Sequence, residues 1–277
     1  MTEPIMLSPL GFHRIFHPTD FSPDSEVAFV HALKLALVAR TEFTVMHVAP
    51  KKTEQSFKGF PQVRATLSRW NVSKDSAGAI RVKKIGVVAK DAAKGIIQHL
   101  SMQPTGLVVL ATTQREGIAR WMQPSVAEPV ARAANTRTLF VPAHSKGFVS
   151  LEDGSITVRT ILIPIARRPD PQAAIDAAAL LATAFGLEKV SFQLLHVGTE
   201  QDRPAFQTPQ REGWSWNTNV CDGDVVDRIL ATGAECGADV IIMVTEGRKG
   251  FADMLKGTTT ERVVRGARCP VITLPAR

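Results

Sequence analysis

Residues 239–276 read DVIIMVTEGRKGFADMLKGTTTERVVRGARCPVITLPA, and residues 106–143 read GLVVLATTQREGIARWMQPSVAEPVARAANTRTLFVPA. Offset by 133 positions, the two align without a gap. Thr112, Arg115, Gly117 and Ala119 recur as Thr245, Arg248, Gly250 and Ala252. Glu128, Val130 and Arg132 recur as Glu261, Val263 and Arg265, and Pro142-Ala143 as Pro275-Ala276. The period is a whole domain, which marks a duplication; solenoid repeats recur at about 20–50 residues.

The similarity extends outward to the start of each copy. RIFHPTDFSPDSEVAFVHALKLA (14–36) lies over TILIPIARRPDPQAAIDAAALLA (160–182) at an offset of 146. Met46-His47-Val48 and Leu195-His196-Val197 recur as well. Each copy alternates short apolar runs with helical patterns, as a parallel βαβ sheet does. In the first copy the pattern predicts strands near 13–19, 42–49, 79–87, 106–112 and 137–142. Helices are predicted near 23–40, 61–72, 90–103 and 124–134, the first opened by Ser22 as cap and Pro23 at the first helical position. The second copy predicts strands near 160–166, 189–197, 215–221, 239–245 and 270–274. Its stretch 198–214 carries two prolines and no helical period, so the second helix of that copy is expected to be missing or reduced. Asp153-Gly154, between alternating runs in 147–158, is a hairpin signal. The expected organisation is a first domain at 1–146, a hairpin linker at 147–158 and a second domain at 159–277, packed face to face as a pseudo-dimer.

Composition narrows the function classes. The chain has 277 residues, 44% of them hydrophobic, enough for one or two cores. No apolar run approaches the roughly eighteen residues of a membrane span, and the N-terminus lacks the layout of a secretory signal. Three dispersed cysteines fit neither a disulfide framework nor a zinc site, and the chain reads as cytoplasmic. The net charge of +7 raises nucleic acid as a partner. Against it stand the absence of tyrosine, aromatics at 6% and the scatter of Lys and Arg.

In an open parallel sheet, ligands bind beyond the carboxyl ends of the strands where strand order reverses. Those positions here follow the first and fourth strands of each copy. In the second copy Gly247 and Gly250 lie just past the fourth strand, and Gly257-Thr258-Thr259 stand where the next helix starts. Helix N-terminal amides, a glycine allowing close approach and Thr hydroxyls suit phosphate oxygens. A plain turn with a Thr-capped helix reads equally well. The order Lys256-Gly257-Thr258 excludes a Walker A loop.

This loop, the following ERVVRGARCPVITLP, the segment HPTDFSPDSEVA and the LLHV strand end resemble the universal stress protein family, in its tandem form. The resemblance covers nearly the whole chain, twice. It implies, for each copy, a five-stranded parallel sheet of order 3-2-1-4-5 flanked by helices. It also implies ATP or AMP binding in members with a loop of form G-x2-G-x9-G-[ST]. On the second copy, Gly247 matches the second Gly and Gly257-Thr258 the closing pair, while Val244 replaces the first Gly. On the first copy Ala111 and Gln114 replace the leading glycines and Pro124-Ser125 the closing pair. Nucleotide-binding members carry an Asp at the end of the first strand. Asp20 is that residue in the first copy, and Ala166, followed by Arg167-Arg168, stands there in the second. The resemblance therefore implies a degenerate site in the second copy, made by Gly247, Gly257, Thr258, Thr259, Ile165, Ala166, Val197 and Val244. It implies a vestigial one in the first copy, at Asp20, Val48 and Ser125.

Other candidates have plainer readings. Arg167 and Arg168 are either phosphate partners or solvated loop residues. His47 and His196 read as strand-end histidines packed on the core. His17 and Asp20 fall on opposite faces by strand alternation, which argues against a catalytic pair. Trp214 and Trp216 point to one face, to stack a base or partner or to cover the place of the missing helix. Cys269-Pro270 reads as a packing position. The expected function is a non-enzymatic stress-response protein that weakly binds an adenine nucleotide in its second copy. No catalytic residue and no metal beyond Mg2+ accompanying the nucleotide are expected. The alternatives are a protein-interaction module without nucleotide and, from another class, an adenylyl-transferring or ATP-hydrolysing enzyme. Protein partners are not specified by the sequence, and association into a homodimer fits the family.

Overall fold

The computed structural model describes residues 10–52, 59–112, 126–143, 145–246 and 258–276. The first copy runs β1 (Arg14–Pro18), α1 (Pro23–Ala39), β2 (Glu42–Ala49), α2 (Val63–Arg69), α3 (Lys74–Gly78), β3 (Arg81–Val88), α4 (Ala92–Met102), β4 (Leu107–Thr112), α5 (Ala127–Ala134) and β5 (Arg137–Pro142). The second runs β6 (Thr160–Pro164), α6 (Gln172–Ala184), β7 (Val190–Val197), β8 (Trp214–Cys221), α7 (Val225–Glu235), β9 (Val240–Thr245), α8 (Thr259–Gly266) and β10 (Val271–Pro275). The predicted helix over 61–72 is the shorter α2, followed by Asn71 at a left-handed φ of 52°, and α3, opened by the Ser73 cap, is a further helix beyond the predicted range.

Local chemistry accounts for the element ends. The Ser22 hydroxyl accepts from the Ser25 amide at 3.2 Å, and Pro23 follows in the first turn, where its missing N–H costs nothing. Asp91 and Asp224 cap α4 and α7 in the same way. Apolar strand residues alternate between two faces. Ile15, Phe43, Val45, Val109, Leu139, Phe192, Ile242 and Ile272 meet α1 and α6 on one side. Phe16, Met46, Val108, Phe140, Leu162, Ile241 and Val271 meet α4, α5, α7 and α8 on the other. Each of these cores runs through both copies.

Among the described residues, ten strands form one sheet, in the order β3-β2-β1-β4-β5-β10-β9-β6-β7-β8. Each copy has the 3-2-1-4-5 order and is parallel within itself. The expected face-to-face packing is corrected: the copies meet edge to edge, β5 antiparallel to β10. Their paired residues are Val271 with Phe140, Ile272 with Leu139 and Thr273 with Thr138. Leu139 and Ile272 are duplicates of one another at the 133 offset, so a pseudo-twofold axis passes between them. Each copy thereby covers the unpaired edge of the other. The helices above obey the same symmetry. Arg265 clasps Glu128 with Nε and Nη2 at 2.6 and 2.7 Å, and its counterpart Arg132 donates to Glu261.

The linker is a tight turn docked on the first copy. Val149 and Ile156 form an antiparallel bridge, and Gly154 (φ 68°) turns beneath Trp70, where a Cβ would lie 2.4 Å from the indole. The Trp70 indole N–H donates to the Leu151 carbonyl at 3.2 Å. His31, fully buried in α1, holds the other end. Its Nδ1–H donates to the Val27 carbonyl (2.7 Å), so Nε2 is free to accept from the amides of Phe148 (2.9 Å) and Val149 (3.3 Å). That arrangement requires the neutral ring.

In the second copy 198–213 forms no α-helix, as its prolines predict: a short 3-10 turn at Glu200–Asp202 leads into extended chain. Phe206 packs against the core there, and Gln172 brackets Gln207 by bonds to both its amide and its carbonyl. The Trp216 ring stacks on Phe192 at 3.8 Å and 7°, and its N–H donates to the Pro209 carbonyl. The tryptophan pair covers the core where the first copy has α2.

Two measurements test this architecture. Burial depresses His31 and His17 to about 4 from 6.5. A group neutral in the fold and protonated when unfolded loses stability as pH falls through the interval between those values. Urea unfolding should therefore show stability falling from pH 6.5 to 4. His31→Leu should cost about 1–3 kcal/mol at pH 7, by stranding the linker amides, and flatten that slope. Double-mutant cycles on the exposed Glu128–Arg265 pair should give a coupling of about 0.5–1 kcal/mol. The mirror cycle on Arg132–Glu261, where Glu261 is only 14% exposed, should give more.

Candidate crevice in the second copy

The switch point of the second copy lies between β6 and β9, whose parallel pairing ends at Leu162 and Ile241 so that the chain beyond them diverges. A cavity of about 720 Å3 opens there, within the range of ligand pockets. Ile165 and Ala166 bound it after β6, Val197 after β7, and Val244, Thr245 and Glu246 at the end of β9. Thr258, Thr259 and Thr260 bound it at the start of α8. Six of the residues named from the sequence, Ile165, Ala166, Val197, Val244, Thr258 and Thr259, thus share one cavity. Gly247 and Gly257 lie outside the described residues, as do Gln114, Pro124 and Ser125 of the first copy.

Thr258 caps α8 by accepting from the Glu261 amide at 3.2 Å. In that bond the hydroxyl acts as acceptor, and the earlier amides of the first turn have no intrahelical acceptor. The first-turn end of the helix also carries the positive end of its dipole. His196 supports the floor: its Nδ1 donates to the Ile165 carbonyl at 3.2 Å, as His47 does to the duplicate carbonyl of Thr19 at 2.8 Å. Both histidines position the loop after the first strand. Arg167 is committed elsewhere, donating to the Gln201 carbonyl and lying 3.8 Å from Asp202, whereas Arg168 lines the cavity.

In the first copy the retained carboxylate is engaged locally. Asp20 accepts from the Ser22 amide (3.0 Å) and hydroxyl (2.6 Å). Partial burial opposes its ionisation, but these hydrogen bonds outweigh it and hold the carboxyl below the usual range. Val48, the counterpart of Val197, packs toward Gly95 of α4. His17 is buried and its Nδ1 donates to the Val109 carbonyl at 3.0 Å, making no pair with Asp20. Burial, then the neighbouring Asp239 carboxylate, push the Cys269 thiol up to about 12, so it is a neutral packing group.

Sequence reasoning missed the contribution of α5. Glu128, Arg132 and Asn135 from the first copy line the same cavity. The signal was present in the duplicated Glu and Arg, which pair reciprocally only if the copies meet about a twofold axis. Among the described residues no group of three or more His, Cys, Asp or Glu side chains is placed to hold a metal ion, and no helix is long and apolar enough to cross a membrane.

Comparison with known proteins agrees with this fold. A universal stress protein from Archaeoglobus fulgidus has a similar fold, at 16% identity and a TM-score of 0.60, covering 96% of this chain and 99% of that one. A functionally unknown protein from Pseudomonas aeruginosa is similar at 13% identity and a TM-score of 0.62, covering 97% and 94%. A universal stress protein from Methanocaldococcus jannaschii is 29% identical over 87 residues, which are 31% of this chain; the match spans about half (51%) of that relative's length. The universal stress protein family model matches residues 11–142 and 199–275, and the chain belongs to that family.

Proposed function

We propose that this chain is a non-enzymatic stress-response protein whose second copy binds an adenine nucleotide, ATP or AMP, weakly, and signals through the bound state. The observation that carries the reading is the single cavity joining Ala166, Val197 and the capped start of α8. The base lies between Ile165–Ala166 and Val197, and the phosphates approach Thr258 and Thr259, with Mg2+ arriving on the nucleotide. Affinity is low because Ala166 offers no carboxylate to the nucleoside. In the first copy Asp20 lacks a phosphate loop and is already satisfied by Ser22, so one site per chain is proposed. The same reading divides the chain into domains at 1–146 and 159–277 joined by the linker at 147–158. A protein-interaction module remains as the second reading, favoured by Glu246, whose carboxylate on the cavity wall opposes phosphate.

Calorimetric titration with ATP tests the proposal. Wild type should give a one-to-one isotherm. Ala166→Asp should tighten it about tenfold, as expected for one charge-assisted hydrogen bond. Thr258→Ala should weaken it and also cost about 1 kcal/mol of stability through the lost cap, with Thr258→Ser restoring both. No heat from either wild type or Ala166→Asp sinks the nucleotide reading in favour of the interaction module.

A further inference from the structure

The cavity of the second copy is walled in part by the first. Arg132 of α5 donates from Nη2 to Oε1 of Glu261, in the first turn of α8 and three residues after the cap Thr258. A cation of one copy therefore stands at the helix start where the other copy meets phosphate. Resting on the adenine-nucleotide reading above, we propose that Arg132 is a phosphate-binding residue of the second copy's site, which makes that site a composite of both copies.

Charge and hydrogen-bond geometry support the assignment. Among the described residues, two guanidinium groups, Arg132 and Arg168, and three carboxylates, Glu128, Glu246 and Glu261, line the cavity. Glu128 is neutralised by Arg265 through both of its oxygens. Glu246 and Glu261 are thus balanced by Arg132 and Arg168. Without Arg132 the described part of the wall is net negative, and a carboxylate beside a phosphate repels it strongly at close range.

The two duplicated arginines are also engaged differently. Arg265 closes a two-toothed fork on Glu128, with Nε and Nη2 each bonded. Among the described residues, Arg132 meets Glu261 through one Nη2 contact, and its side chain is 34% exposed. A guanidinium has five N–H donors in a rigid fork suited to phosphate. In the proposed site the remaining donors face the ligand phosphate. Arg167, the arginine that the sequence placed beside the crevice, is held by Asp202 and Gln201.

The experiment exploits a sign difference. Arg132→Gln and Glu261→Gln break the same ion pair, and both should lower the melting temperature. If Arg132 binds phosphate, the first variant weakens ATP about tenfold in calorimetry, as loss of a charge-assisted contact does, and leaves adenosine unchanged. Glu261→Gln instead tightens ATP several-fold, by removing a negative charge and releasing Arg132, and Arg132→Lys retains most of the wild-type affinity. The assignment is overturned if both Gln variants weaken ATP alike, or if Arg132→Gln weakens adenosine as much as ATP. Wild type that binds neither ligand overturns the nucleotide reading itself, and the assignment with it, before any variant is compared.

Discussion

The antiparallel pairing of β5 with β10 is the contact on which the rest of the molecule depends. Each parallel half, taken alone, ends in an open edge with a row of unsatisfied amides and carbonyls beside an apolar surface. Bringing the duplicate edges together satisfies both rows at once and puts Leu139 against its own copy, Ile272. The symmetry of that step dictates what stands above it. Residues three turns of chain earlier in each copy, on α5 and α8, must meet their duplicates reciprocally, which is why Glu128 finds Arg265 while Glu261 finds Arg132. The linker reinforces the arrangement without imposing it: a neutral His31 and the Trp70 indole hold it on the first copy.

Symmetry in the scaffold coexists with asymmetry in the crevices. Asp20, after the first strand, is turned onto Ser22, while in the second copy Thr258 caps α8 beside Thr259. With the two sheets fused, the crevice of the second copy borders a helix of the first. The cavity bordered by α5 and α8 has that composition, with wall residues from both copies.

The region that replaces the second helix of the second copy shows how a core is closed with less secondary structure. Two prolines and a glycine deny 203–213 a helix. Phe206, Trp214 and Trp216 then supply apolar cover, each indole N–H bonded to a backbone carbonyl. An aromatic ring buries as much surface as several aliphatic groups and needs little backbone order to do so. This accounts for tryptophans at one strand edge without requiring a ligand for them.

The order and type of nearly every element were legible from the sequence, because period-two and helical apolar patterns report local burial directly, and a gapless duplicate supplies each pattern twice. The capping of α1 by Ser22, the absent helix at 198–213 and the linker turn at Gly154 were legible for the same reason: each follows from the local backbone preferences of Ser, Pro and Gly. Six residues lining the crevice could be named because the family resemblance, with the rule that ligands bind at strand ends where strand order reverses, points to those positions. The edge-to-edge union of the copies was not legible, since β5 and β10 are apolar on both faces and read alike whether they meet by edge or by face. Nor was the place of Arg132: its partner Glu261 lies 129 residues away in sequence, and only the pseudo-twofold axis brings them together. Sequence alone determined the repeating unit and its chemistry; the tertiary structure decided which edge closes the sheet and therefore which charges face the crevice.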